Sequence, residues 1–288
     1  MTKFKSIFFC AFAGLSFVCA LKAAPAVKNG DTITFLGDSI TQFGIRPGGY
    51  VDLIVSALRT SKINVVPIYA GVSGNRSVDM LRRIDSGVLA KKPTIMLISC
   101  GVNDVAHFKI KRGIELADYR ENMSEMIDRA LKAGIKVYIM TPTMIKEDPA
   151  GAENTKLDTY IEALKVIAKE KKCPLIDVNA AMKNELAEWR KRVPAYEHDF
   201  LTLDGIHMNA LGNVMMAKVV LEGLGFSAEE IVKAETVWDK SWWAYGDVIA
   251  MQGFLFKKLM LRSFQANKSL RVYINGLIQD DAKKGLDK

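Results

Sequence analysis

Five short apolar runs, separated by longer segments of helical period, limit what this chain can fold into more than any other feature. The runs are Thr32–Leu36, Val65–Tyr69, Thr94–Cys100, Lys136–Thr141 and Pro174–Val178. Near-continuous apolar runs of this length, rather than alternating ones, belong to parallel strands buried on both faces. Between them, Tyr50 to Leu58 repeats apolar residues at steps of three and four, the period of a helix with one buried face. Tyr119 to Leu131 does the same through Met123, Met126 and Ile127, and stops short of Gly134, a residue suited to a helix C-terminus. Leu157 to Ala168 follows with Ile161, Leu164 and Ile167, and Ala210 to Leu221 comes last. Strand–helix alternation implies right-handed crossovers, with helices on both faces of the sheet. The expectation is an α/β fold, with residues 25–226 as one three-layer α/β/α domain.

Composition supports a folded, water-exposed protein. Hydrophobic residues make up 49% of the 288 and charged residues 25%, enough for a sizeable core and ordinary for a globular domain. The first 24 residues read as a targeting segment. Lys3 and Lys5 form a positive start, Ile7 to Leu21 is apolar, and Ala20, Ala23, Ala24 and Ala26 offer small-residue cleavage positions. The expected location is secreted or periplasmic, without a membrane span after cleavage, since the apolar run is shorter than the roughly 20 residues a span needs. Removing Lys3, Lys5 and Lys22 with that segment lowers the formal charge from +8 to +5. The bias is mild, and no basic run interleaved with aromatics points to nucleic acid. Of the four cysteines, Cys100 and Cys173 remain after the targeting segment. Both read as small buried hydrophobes, and a disulfide between them is conceivable in an oxidising compartment. No CxxC or His-rich spacing marks a metal site.

The C-terminal part, residues 227–288, has a different character. Trp238, Trp242, Trp243 and Tyr245 come close together, and Ile249 to Phe264 is apolar with Lys257, Lys258 and Arg262. The expectation is an extension that packs on the main domain. The alternatives are a substrate-lining aromatic surface or a helix lying on a membrane. The charged end from Gln279 to Lys288 is expected to fray.

Four short segments carry the chemistry, each at an expected strand end or loop. They are Gly37-Asp38-Ser39-Ile40-Thr41, Gly71-Val72-Ser73-Gly74-Asn75, Gly101-Val102-Asn103-Asp104 and Leu203-Asp204-Gly205-Ile206-His207. Together they offer a hydroxyl nucleophile, backbone and amide donors for an oxyanion, and a base with a carboxylate partner. Open α/β sheets place reactive groups at the carboxyl ends of their strands.

These segments resemble the four signature blocks of the SGNH (GDSL-type) esterase and lipase superfamily, in the same order and across nearly all of the domain. The resemblance implies a flavodoxin-like fold with a five-stranded parallel sheet, and a serine esterase needing no cofactor and no metal. Carried over, Ser39 corresponds to the nucleophile, Asp204 and His207 to its partners, and Ser39, Gly74 and Asn103 to the oxyanion hole. The physics suits these roles. A serine hydroxyl attacks only when a nearby base takes its proton. Imidazole titrates near neutral pH, and a carboxylate holds the imidazolium as it forms. Glycine at 74 lets backbone approach an oxyanion without a Cβ in the way. Asp38 is expected to orient the nucleophile turn. Arg76 could bind a substrate carboxylate or sit in a surface salt bridge. His107 is a candidate for the pocket lining, and His198 lies in a polar loop. The implied substrate is a small-molecule or glycan ester, with removal of O-acetyl groups from polysaccharide or sialic acid as the leading expectation. A lysophospholipase or thioesterase acting on longer chains is the alternative.

Overall fold

The structure, a computed structural model, describes residues 25–245 and 249–286. The expected targeting segment, residues 1–24, lies outside the described residues. Strands β1 (Thr32–Gly37), β2 (Val66–Gly71), β3 (Ile95–Ser99), β4 (Lys136–Met140) and β5 (Leu175–Ile176) pair in parallel in the order β2-β1-β3-β4-β5. The expected α/β sheet is therefore present, and the chain steps one way across it from β1 to β2 and the other way from then on.

The helices follow from that order. They are α1 (Ser39–Phe43), α2 (Tyr50–Thr60), α3 (Ser77–Arg82), α4 (Ile84–Gly87), α5 (Val102–Ala106), α6 (Leu116–Lys132), α7 (Ala152–Glu170), α8 (Val178–Arg192) and α9 (Ala210–Gly223). Right-handed crossovers put α2 on one face and α3, α6 and α7 on the other, because the strand order reverses between these connections. The packing agrees: α3 touches α6 and α6 touches α7, whereas α2 touches α9 and α9 touches α8. The reversal falls between β1 and β3. In sheets of this kind a crevice opens there, beyond the carboxyl ends of the strands.

Strand composition reflects position. Central β1 and β3 are buried almost throughout. Edge strand β2 exposes Val66 and Tyr69 and carries Pro67, which an edge tolerates because no neighbour needs its missing N–H. The other edge, β5, is shorter than the expected Pro174–Val178 run. The Asp177 carboxylate accepts from the Ala180 N–H at 3.1 Å, and this cap starts α8 at Val178. The polar segment that follows showed no clear apolar stripe, and α8 went unread in the sequence.

At the carboxyl edge, register aligns Gly37 with Gly71 and Leu36 with Ile98. A Cβ on Gly71 would lie 2.3 Å from the Gln42 amide nitrogen. Glycine there lets α1 rest directly on the end of β2.

Beyond α9, the chain continues as α10 (Ala228–Trp238), the antiparallel pair β6 (Trp242–Tyr245) and β7 (Ile249–Gln252), then α11 (Gly253–Gln265) and α12 (Leu270–Leu286). The apolar run from Ile249 to Phe264 is thus split between a strand and a helix. Gln279, where fraying was expected to begin, lies within α12. On α11, Phe256, Met260 and Phe264 fall four residues apart and are buried. The Phe264 ring meets those of Trp189, Tyr196 and Phe200 at centroid distances of 5.4, 4.5 and 5.1 Å. Trp238 is fully buried, and its indole N–H donates to the Leu53 carbonyl in α2 at 3.1 Å. Cys100 and Cys173 are buried free thiols rather than a disulfide. Among the described residues no helix is long and apolar enough to cross a membrane.

If residues 227–288 fold together with residues 25–226, Trp238→Ala lowers the whole cooperative unfolding transition. The expected loss is roughly 3–5 kcal/mol, the usual cost of emptying a large aromatic site. Calorimetry reads the result. A main transition left in place, with a small early one beside it, would show an extension that unfolds independently.

Candidate active site

The turn that leaves β1 places Ser39 at the first position of α1. Asp38 caps this turn, accepting from the Ile40 N–H at 2.9 Å. From there the Ser39 hydroxyl lies 2.9 Å from His207 Nε2. His207 Nδ1 lies 2.7 Å from Asp204 Oδ2. An ionised carboxylate can only accept, so Nδ1 carries the proton and Nε2 is free to accept from the serine. Asp204 Oδ1 also accepts from the backbone N–H groups of Ile206 and His207, at 3.1 and 2.8 Å. The Phe43 ring tilts against the imidazole with centroids 5.0 Å apart. Three residues from two loops, 168 positions apart in the chain, thus form one continuous hydrogen-bonded relay.

The loop after β2 stands beside it. Gly74 adopts φ +75° and a Cβ there would meet nothing within 4 Å. The residue is glycine for its backbone conformation. Two side chains clamp the loop. Gln42 of α1 accepts from the Ser73 N–H and hydroxyl, each at 2.6 Å. Arg83 donates to Asn75 Oδ1 at 2.6 Å, and also to the Ala70 and Gly37 carbonyls at 2.9 and 3.1 Å. One guanidinium therefore ties the ends of β1 and β2 to the loop between β2 and α3. Asn103, at the start of α5, is 7% exposed and donates through Nδ2 to the Asn75 carbonyl at 3.0 Å. That bond uses one of its two amide hydrogens and aims the carboxamide beside Gly74. The next residue, Asp104, accepts from the Ser77 N–H at 3.0 Å and from its hydroxyl, pinning the β3 loop to the start of α3.

The loop carrying Asp204 and His207 is held from the other side. Buried Glu147 accepts from the N–H groups of Phe200 and Leu201 at 2.7 and 2.6 Å, and from the Thr202 hydroxyl at 3.0 Å. Thr202 pairs with Met208 across the loop, and the Leu203 N–H donates to the His207 carbonyl at 2.8 Å. Asn209 then accepts from Leu211 and Gly212 to cap α9.

Electrostatics separates the carboxylates. Burial pushes Asp38 up to about 6, with the nearby Asp104 adding to the rise. Burial likewise raises Asp104 and Glu147. Burial acts on Asp204 too, but the His207 amide, the His207 ring and the Ile206 amide outweigh it and hold its carboxyl below the ordinary value. Asp204 stays ionised where a partner for an imidazolium must.

The other residues singled out in the sequence are placed less centrally. Asp38 serves the turn through its bond to Ile40. Arg76 spends three of its five donors inside the protein, two on Asp79 at 2.8 and 3.1 Å and one on the Arg112 carbonyl at 2.8 Å. Burial, with the cationic Arg112 and Arg76 nearby, lowers the pKa of His107, and its Nδ1 has no partner among the described residues. Neither Arg76 nor His107 borders the hollow beside His207. Phe43, Gly48, Met208, Trp243 and Phe256 wall that hollow. Trp243 reaches it from β6 and packs against Gly48, where a Cβ would lie 2.6 Å from the indole. Sequence reasoning did not single out Arg83, Glu147 or Gln42. Trp243 was visible only as one of an aromatic group that also holds Trp238, a core residue.

Comparison with known proteins adds to this geometry. The sequence profile described as the GDSL-like Lipase/Acylhydrolase family matches residues 35–214. The chain is 26% identical over 218 residues to an acetylxylan esterase of Geobacillus stearothermophilus, a stretch that covers 69% of this chain and 96% of that protein. The crystal structure of the acetylxylan esterase Axe2 from the same organism superposes with a TM-score of 0.62 at 24% identity, over 70% of this chain and 97% of Axe2. That of the acetyl xylan esterase AlAXEase gives a TM-score of 0.59 at 28% identity, over 66% and 98% of the two chains.

The Asp38 shift has a measurable consequence. A carboxyl raised to about 6 in the folded chain binds its proton more tightly there than when unfolded. The stability this proton confers is present below the unfolded value of about 4 and is lost as pH rises through about 6. Asp38→Asn keeps the acceptor for Ile40 and cannot ionise. It should raise stability at pH 8 by roughly 2–3 kcal/mol and change it little at pH 4. Denaturant titrations at both pH values measure this, and an equal effect at the two would reject the cause.

Proposed function

The chain belongs to the GDSL-like lipase/acylhydrolase family, and on that footing we propose that it is a carbohydrate O-acetylesterase working through an acyl-enzyme on Ser39. The observation that carries the reading is the relay from Ser39 through His207 to Asp204, at 2.9 and 2.7 Å.

In this reaction Ser39 Oγ attacks the ester carbonyl carbon as its proton passes to His207 Nε2. Asp204 holds the Nδ1–H and stabilises the imidazolium. The carbonyl oxygen becomes an oxyanion that accepts from the backbone N–H groups of Ser39 and Gly74 and from the second amide hydrogen of Asn103. Such donors are fixed in place before charge develops and cost no reorganisation during the reaction. Collapse of the tetrahedral species breaks the bond to the alcohol oxygen, which takes the proton from His207 and leaves. A water molecule, deprotonated in turn by His207, attacks the acyl-enzyme and releases acetate and the free serine.

The alcohol must leave on the side of His207, since that residue protonates it. The hollow there is walled by Phe43, Trp243 and Phe256. Of these, Phe43 is half-buried and keeps part of its ring open to a sugar's apolar face, whereas Trp243 and Phe256 are buried and shape the wall. The similarity to acetylxylan esterases supports acetyl as the acyl group. The positive start and apolar run of residues 1–24 support export.

Ser39→Ala should lower kcat by up to roughly 10⁶ in a chain that still folds. More than about a tenth of the wild-type activity left in the folded variant would exclude the serine mechanism. Asn103→Ala should lower kcat by roughly 10²–10³ with KM little changed, because its bond strengthens only as the oxyanion forms. Unchanged turnover in the stable variant would remove Asn103 from the oxyanion hole. Across p-nitrophenyl esters, acetate should be turned over faster than octanoate. A preference for long chains would favour a lysophospholipase instead.

A further inference from the structure

A cleft of about 640 Å³ lies between the loop from Tyr196 to Leu203 and the helices α11 and α12. Its floor is apolar: Tyr196, Met260 and Leu270 are all buried. Its rim is polar, with Glu197, His198 and Arg271 exposed to solvent. The two sides are joined firmly. The Glu197 N–H donates to Asn267 Oδ1 at 3.1 Å, and the Tyr196 ring packs on Phe264 at 4.5 Å.

The cleft adjoins the candidate active site. Leu203, which is 56% exposed, borders both the cleft and the hollow beside His207. The same residue donates its N–H to the His207 carbonyl. Asn209 lines both as well, so a ligand with one unit in the hollow lies next to the cleft. The rim sets acids, Glu197 and Asp199, against bases, His198 and Arg271. That balance favours neither an anion nor a cation and offers both donors and acceptors. A concave site with an apolar floor and mixed polar rim matches an uncharged polyhydroxylated chain. The family match ends at residue 214, so α11 and α12 build this wall outside the shared core.

We infer that this cleft is a second sugar subsite, holding the neighbouring units of an acetylated oligosaccharide while the acetylated ring sits beside His207. The inference rests on the proposed esterase activity for the identity of its ligand. It explains why the C-terminal extension is folded against the catalytic loop. A small ester fills the hollow alone, whereas a longer sugar chain also gains the contacts of the cleft.

The test compares wild type with His198→Ala, Arg271→Ala and Ser269→Trp, the last filling the cleft. The substrates are p-nitrophenyl acetate and octanoate, acetylated xylose and an acetylated xylo-oligosaccharide of four sugars. Wild type should show the highest kcat/KM on the four-sugar ester. Each variant should lose about tenfold on it, the cost of roughly one good hydrogen bond or packed ring, mainly through KM. Activity on p-nitrophenyl acetate should be unchanged. Calorimetry with unacetylated xylotetraose provides a reading independent of turnover: binding to wild type that weakens in the variants supports the subsite. Equal wild-type efficiency on one and four sugars, or variants that keep full activity on the longer ester, would overturn it. So would a loss confined to p-nitrophenyl octanoate, which would make the cleft an acyl site. A wild-type chain that binds xylotetraose but hydrolyses no acetyl ester supports the subsite and refutes only the esterase reading.

Discussion

Helix α1 rests directly on the carboxyl ends of β1 and β2, and the meeting of the Ser39 turn with the Gly74 loop depends on that close approach. The backbone of Gln42 occupies the space that a Cβ on Gly71 would need. With no side chain between them, the turn bearing Ser39 and the loop bearing Gly74 leave the sheet at one level. Parallel register brings the third loop to the same level, since Leu36 stands opposite Ile98 on β3. A crevice at the reversal of strand order is a general property of such sheets.

Backbone proximity alone would leave these loops free to move. Side chains that are half-buried, like Arg83, or buried, like Asp104 and Glu147, hold them instead. Arg83 binds the Gly37 and Ala70 carbonyls and Asn75, so one side chain fixes three segments. Asp104 binds both the amide and hydroxyl of Ser77, and Glu147 satisfies two amides and a hydroxyl ahead of the Asp204 loop. A buried charge is costly unless its bonding capacity is met. Loss of one partner would strand the other, which makes each anchor an all-or-nothing constraint. Such rigidity is what fixed oxyanion donors require.

The same environment sorts the acids by role. Asp38, Asp104 and Glu147 are raised by burial and act through the backbone groups they bind. Asp204 lies in a more open loop and is lowered by the hydrogen bonds it accepts. Two kinds of carboxylate within one crevice, pushed apart by burial and by hydrogen bonding, mark which one can balance a transient positive charge on histidine.

Much of this was legible in the chain before any coordinates. Apolar runs of five to seven residues reported strands buried on two faces, and the three-residue spacing from Asp204 to His207 placed an acid and an imidazole on one loop. Both signals are local, because periodicity and short spacing act over a few residues. The two-residue β5 and the helix α8 were harder. Asp177 ends one and starts the other, and a cap needs only one side chain and no apolar stripe. Other features carried no local signal at all. Arg83 reaches carbonyls on β1 and β2, Glu147 reaches amides more than fifty residues away, and Trp243 returns from the far end to wall the hollow beside His207. The sequence by itself determined the layer architecture and the chemical types at the strand ends, because hydrophobic periodicity and turn chemistry are written in neighbouring residues. Only the tertiary structure decided which of those groups meet, which carboxylate stays ionised and how the C-terminal helices complete the cleft. Those outcomes depend on desolvation and on contacts between residues that are distant in the chain.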